Sequence, residues 1–277
     1  METINIEMLA SFEKHLIESE KAAATICKYL RDLKKLAAWL DGRAPCRGLI
    51  LEYKAMLCKS YAPASVNSTL TSLNVFFDFI GRGELKVRML KIQKQTFSSE
   101  KQLTSAEYDR LLAVAKGKSR RLWLLMQTIC STGIRVSELR SITVEAVMCG
   151  VADVNCKGKR RQVFLPHKLC RMLISYIREA KIKSGCVFVT KNSNPLDRSN
   201  IWSEMKALCA EAGVADAKVF PHNLRHLFAR TYYNRHKDIV RLADLLGHSS
   251  INTTRIYTKD SGATCRRQIQ SLGLLRC

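Results

Sequence analysis

With 277 residues, the chain is long enough for two domains that each bury a core, and 46 Lys and Arg against 24 Asp and Glu leave it at net +22. That excess implies a polyanionic partner. Without a run of ~18 apolar residues, and with a polar, acidic N-terminus instead of a signal peptide, nucleic acid is favoured over membrane and the chain reads as soluble and cytoplasmic. Its eleven cysteines, an odd number with no C-x-x-C pair, indicate neither a disulfide framework nor a zinc ribbon and read as reduced thiols. Residues 1–100 carry net +4 and the remainder net +18, so the C-terminal part is the more basic.

Taken in order, residues 4–18, 21–41, 47–59 and 63–81 read as helices. The fourth shows its core stripe most clearly, with Val66, Leu70, Leu73, Phe77 and Ile80 at four- and three-residue steps, Pro63 near its start and Gly81 at its end. From residue 82 the sequence loses clear periodicity and is rich in Lys and Arg, which reads as a basic interdomain linker, its cations either facing phosphates or simply solvated as in an ordinary loop. A second domain opens at Thr104, where Thr104 and Glu107 form a capping box and Leu103 and Tyr108 are placed as a hydrophobic staple. Residues 116–119 imitate the end of a phosphate-binding loop, but Leu112 stands where the first glycine is needed and no strand precedes it, which rejects a nucleotide site.

A largely apolar helix over residues 122–130 stops at Gly133, and Arg135 follows directly. Val151–Cys156 and residues 162–165 read as the strands of a small hairpin whose tip, residues 157–161, is cationic. Helices over 167–182 and 199–212, with a short apolar strand at 186–190 between them, look like scaffold. Residues 261–275, with Ile269, Leu272 and Leu275 at three-residue steps, read as a final helix.

Residues 221–257 concentrate His222, Arg225, His248 and Tyr257. His222 and Arg225 are three apart, so on a helix they share a face and can converge on one anion. Ile239, Leu242, Leu245 and Leu246 follow at helical spacing, and Gly247 stands where a left-handed cap is expected, in position to present His248. Ser249 or Ser250 can cap another short helix ending near Tyr257, whose polar neighbours Arg255, Thr258 and Lys259 place it outside the expected core. Taken singly, each residue has an ordinary reading: a satisfied surface histidine, a packed tyrosine, a solvated arginine. His222 and His226 have zinc-ligand spacing, but Arg225 between them would repel a cation and no Glu follows His222, so a metal site is rejected.

Taken together, PHNLRH, LLGHSS and TTRIYT in that order, after TGIRVSELRSI, strongly resemble the tyrosine recombinase (phage integrase and Xer-type) family. The resemblance implies a mainly α architecture: an N-terminal four-helix core-binding domain (1–82), a basic linker (83–103), and a mostly helical α+β catalytic domain with a small antiparallel sheet (104–277). It implies a site of Arg135, Lys157, His222, Arg225, His248 and the nucleophile Tyr257, with Glu138 in support. Lys157 is the first Lys of the family's K-G-x hairpin box, but the turn is one residue shorter than usual, which keeps Lys159 as a competitor. The implied function is a site-specific DNA recombinase or integrase that cuts and rejoins double-stranded DNA through a 3′-phosphotyrosine, with neither ATP nor metal. The implied partners are duplex DNA and further copies of the chain, as a tetramer on DNA, docked by the final helix. An accessory DNA-bending or directionality protein is compatible with this reading, and no separate arm-binding domain is expected ahead of residue 1. Two alternatives are a topoisomerase IB-like nicking and rejoining enzyme and a non-catalytic DNA-binding regulator.

Overall fold

The structure, a computed structural model, describes residues 3–92, 101–156, 159–190, 192, 194–257 and 270–271, the side chains of Cys156 and Lys159 excepted. Lys157, most of the expected final helix and part of the expected linker lie outside these residues. The chain divides into two compact units, Met1–Gln95 and Thr96–Cys277.

The first unit is built from α1 (Ile6–Glu18), α2 (Ala23–Leu40), α3 (Arg47–Ser60) and α4 (Pro63–Phe79). Asn5 caps α1 by accepting the Met8 N–H at 2.8 Å, and Pro63 occupies the first turn of α4, where its missing N–H costs nothing. The expected stripe of α4 is buried at Val66, Leu70, Leu73 and Phe77, joined by Phe76, whose ring meets Phe12 edge-on at 5.3 Å. Side chains of this size are worth roughly 1.5–3 kcal/mol each on burial, enough to hold four short helices together.

The stretch expected to open the linker at residue 83 packs on this unit instead. Leu85 and Val87 join the same core, and two asparagines of α4 grip the chain as a neighbouring strand would. Asn74 donates to Val87 O (2.9 Å) and accepts from Val87 N–H (3.0 Å); Asn67 does the same for Leu90 at 2.9 and 2.8 Å. The apolar residues alternate at period two within a basic sequence, an extended pattern that a search for helical spacing passes over.

In the second unit, α5 (Ser105–Lys118) starts at the expected capping box, with both reciprocal bonds formed between Thr104 and Glu107 at 3.2 and 2.8 Å. α6 (Arg120–Thr132) runs through the core with Leu124, Leu125, Met126 and Ile129 fully buried, and Gly133 ends it in the left-handed conformation. A 3-10 turn (Val136–Ser141) and α7 (Val144–Cys149) lead into an antiparallel hairpin, β1 (Val151–Cys156) and β2 (Lys159–Phe164), paired from Val151 with Phe164 to Cys156 with Lys159. β2 starts earlier than expected, so Arg160 and Arg161 belong to the strand and not to the tip.

α8 (His167–Glu179), α9 (Arg198–Lys206) and α10 (Cys209–Ala212) follow. The helix expected over 199–212 is interrupted where Leu208 N–H reaches back three residues, to Met205 O, and the turn tightens. Residues 186–190 form isolated bridges, Thr143 with Cys186 and Val189 with Pro195, rather than a strand. The chain then enters α11 (Pro221–His236), which packs along α6, followed by α12 (Ile239–Leu246), α13 (Ile251–Thr254) and a 3-10 turn (Arg255–Tyr257). No helix among the described residues is long and apolar enough to cross a membrane.

Candidate active site

Four chain segments meet at the end of α6. Gly133 has φ +65°, and a Cβ there would stand 2.5 Å from the Phe228 ring of α11, so only glycine lets these helices approach. Two residues on, Arg135 opens the 3-10 turn. Its backbone N–H donates to Glu138 Oε2 (2.9 Å), and its Nη1 donates to Glu138 Oε1 (2.8 Å). Its Nη2 donates to Gly247 O at 3.1 Å, which ties it to the cap of α12.

Arg225, in the second turn of α11, is 1% exposed. Its guanidinium donates to Gly133 O and to Leu246 O (2.6 Å), and its Nη2 lies 3.1 Å from His248 Nε2. Its Nε is buried with no hydrogen-bond partner among the described residues. Burial, and then the charge of Arg135, lower its pKa to about 10, so it stays cationic at neutral pH.

Gly247, at φ +63°, ends α12 in the expected left-handed cap, and His248 N–H bonds back to Ala243 O at 3.0 Å. The His248 ring lies between Arg225 and Thr254, with Nδ1 2.8 Å from Thr254 Oγ1. Burial, reinforced by Arg225 and Arg135, lowers its pKa to about 4, so the ring is neutral at pH 7. Ser250 caps α13 by accepting Asn252 N–H at 3.3 Å, and the turn after it brings Tyr257 back to the cluster. The Tyr257 ring stacks with His248 at 6.4 Å and meets His226 edge-on at 5.0 Å; His226 in turn meets His222 at 4.5 Å.

The fold therefore gathers Arg135, His222, Arg225, His248 and Tyr257, together with Glu138. Tyr257 corrects one expectation. It is 7% exposed and packs with Ala229, Leu242 and Leu246, because the 3-10 turn folds its ring under α11 and α12 although its sequence neighbours are polar. Burial raises its hydroxyl pKa, and the charges of Arg225 and Arg135 with a bond from Arg225 only partly offset this. His222 is exposed, and its pKa is nevertheless lowered by desolvation of its ring and then by Arg225, Arg135 and Arg198. His226 is 5% exposed, and its pKa is lowered to about 3, mainly by burial.

Sequence reasoning missed Arg161. Its Nη2 donates to Glu138 Oε2 (2.6 Å) and its Nη1 to Leu245 O (2.8 Å), while its side chain crosses Gly247 so closely that a Cβ there would lie 2.4 Å from its Cδ. Glu138, 3% exposed, thus joins two arginines from different segments. Burial pushes its carboxyl up, but the bonds and charges of Arg135 and the charge of Arg161 win, and its pKa falls below the usual value. The signal was present in the strand: Arg161, Val163 and Leu165 alternate, and Val163 and Leu165 face the core. Two guanidinium groups share this one carboxylate, and with Arg225 tied to the same segments they leave a concentrated positive charge suited to an anion.

A family model described as the phage integrase family matches residues 101–263, more than half of the chain. The chain belongs to the phage integrase family of tyrosine recombinases. This recombinase is 30% identical to tyrosine recombinase XerA of Pyrococcus furiosus over 99% of its own length and 96% of that protein's. It is 31% identical to tyrosine recombinase XerD of Xanthomonas campestris over 92% and 86%. Its fold resembles that of XerH site-specific recombinase bound to difH substrate, with TM-score 0.74, 19% identity, and 96% and 84% coverage. It also resembles a lambda integrase dimer bound to a COC' core site, with TM-score 0.74, 18% identity, and 92% and 95% coverage. The recombinase's expected lysine, Lys157, lies outside the described residues, and of its competitor Lys159 only the backbone is described, opposite Cys156 at the hairpin end.

Proposed function

We propose that the recombinase is site-specific and acts on double-stranded DNA, with one phosphodiester held between Arg135 and Arg225 and attacked by Tyr257. The observation that carries this is the convergence of both arginines on one tyrosine, Arg225 fully buried and still cationic. Guanidinium forks match two non-bridging phosphate oxygens and hold their charge at any working pH. As the tyrosine oxygen bonds to phosphorus, the bond to the 5′ oxygen breaks, leaving a 3′-phosphotyrosine and a 5′-hydroxyl. The phenolic proton leaves toward the His222 and His226 pair, whose rings adjoin, and His248 supplies a further polar contact to the phosphate. Lys157 gives the departing alkoxide its proton, since an alkoxide is a poor leaving group. The energy of the broken bond is kept in the protein link, so another 5′-hydroxyl can attack in turn and strand exchange follows without ATP.

On this reading, Met1–Gln95 acts as the core-binding domain, the chain works in the cytoplasm as a tetramer on DNA, and an accessory DNA-bending or directionality protein is compatible with it. Substituting Tyr257→Phe removes only a hydroxyl, so covalent attachment to DNA should vanish while DNA affinity persists. Denaturing electrophoresis after expression in cells, with sequencing of the trapped DNA, tests this and supplies the target. An undiminished adduct in the variant would remove Tyr257 from the role.

A further inference from the structure

The proposed chemistry asks His248 to face a phosphate oxygen, which accepts hydrogen bonds; its Nε2 must then carry a proton. In the ligand-free site the demand is reversed. Arg225 has only donors, so the 3.1 Å contact from its Nη2 requires Nε2 to be the acceptor. The ring is neutral at pH 7, so its single proton is on Nδ1 and is donated to Thr254 Oγ1 at 2.8 Å. Thr254 is wholly buried at the end of α13, and among the described residues it is the side chain hydrogen-bonded to Nδ1. A carbonyl in its place could only accept and an ammonium could only donate; a hydroxyl does either.

We propose that Thr254 is a positioning residue for His248, holding the ring in one plane while allowing either nitrogen to bear the proton. Without ligand, Thr254 accepts from Nδ1 and Nε2 accepts from Arg225. When a phosphate takes the Arg225 Nη2 donor that faces His248, Nε2 gains a proton from solvent, Nδ1 loses one to solvent, and the Thr254 hydroxyl turns to donate to the bare Nδ1. The net charge of the ring does not change. This rests on the reading that a DNA phosphate occupies the cluster.

The test compares wild type, Thr254→Ser and Thr254→Val by NMR of 15N-labelled histidine, free and with inorganic phosphate. The expected result is a proton on Nδ1 in the free protein that moves to Nε2 in phosphate for wild type and Thr254→Ser, whereas in Thr254→Val the Nδ1 signal loses its hydrogen-bond shift in both states and broadens, because neither the proton nor the bare nitrogen has a partner. Adduct formation on a duplex of the sequence trapped from cells should slow roughly tenfold in Thr254→Val, the worth of one hydrogen bond at the site. In a His248→Ala background, Thr254→Val should add no further slowing, whereas a merely structural role would still add its full effect. Wild-type spectra from Thr254→Val, a proton that stays on Nδ1 in phosphate, or additive slowing with His248→Ala would each overturn the proposal. Should no adduct form with any duplex, the DNA reading fails, while the free-protein spectra still decide whether Thr254 holds the ring.

Discussion

Removing the charge of Glu138 gives the sharpest test of how the site is held together. In Glu138→Gln the shape is kept, but one acceptor oxygen becomes an NH2 facing an arginine. The carboxylate receives three donors, Arg135 N–H, Arg135 Nη1 and Arg161 Nη2, at 2.9, 2.8 and 2.6 Å. Bonds to charged groups contribute about 1.5–3 kcal/mol each, and breaking a buried pair costs about 3–5 kcal/mol. The Arg135 side chain is 30% exposed and is partly re-solvated when released, so the lower end applies. The expected loss is roughly 3 kcal/mol, or about 6–12 °C in melting temperature at 2–4 °C per kcal/mol for a domain of this size. The sign with pH follows from the depressed pKa of Glu138: its stabilisation is present above the unfolded value and lost as pH falls through the folded one. Wild type and variant should therefore differ most at pH 7 and converge in acid below pH 4.5. Inorganic phosphate should raise the melting temperature of the variant more than that of wild type, because Arg135 and Arg161 then lack their counter-charge. Thermal unfolding followed by circular dichroism reads all three effects. A loss under about 0.5 kcal/mol with unchanged pH dependence would refute the hub role, since that is the scatter of ordinary surface substitutions.

Gly247→Ala should cost roughly 1–2 kcal/mol for the left-handed backbone plus a displacement of Arg161, and in an Arg161→Ala background only the backbone part should remain; unfolding of the two pairs measures both. His226 and His248 have folded pKa values of about 3 and about 4 against 6.5, so between pH 6.5 and 4.5 the unfolded chain binds protons that the folded chain refuses and stability should fall as pH falls. A flat unfolding profile across that window would contradict their burial as neutral rings. If Lys157 is the general acid, Lys157→Ala should be slow on normal DNA yet close to wild type on a bridging 5′-phosphorothiolate, whose thiolate leaves unprotonated, while Arg135→Ala stays slow on both. Rescue of Lys159→Ala instead would shift the hairpin register by two residues.

Much of this architecture was legible because its signals are local. The capping box at Thr104, the glycine caps at Gly133 and Gly247 and the apolar stripe of α4 each state a backbone requirement within a few residues, and each was met. What escaped was set by distant chain. Leu85 and Val87 are buried because Asn74 and Asn67, on another element, satisfy the backbone beside them. Arg161 looked like a tip residue because its sequence neighbours are Lys and Arg, and its partners Glu138 and Leu245 are 23 and 84 residues away. The local polarity around Tyr257 misled for the same reason: its burial is decided by Ala229, Leu242 and Leu246.

The burial of Tyr257 constrains how its proton leaves. Two arginines beside a phenol suggest a phenolate ready to attack, yet desolvation outweighs them and the hydroxyl pKa stands above its usual value of 10.0. A bound phosphodiester brings a negative charge to the same arginines and offsets part of their pull, so binding alone does not release the proton. On the proposed roles, the negative charge must therefore pass from the phenol oxygen to phosphorus as the proton departs, with neither step completed first. The neutral histidines suit that requirement. A base of low pKa takes a proton only while the charge it leaves behind is being stabilised, and here that happens only when phosphate lies between Arg135 and Arg225. On the proposed roles, the burial of this ring protects the nucleophile, which stays protonated and unreactive until a phosphodiester is in place.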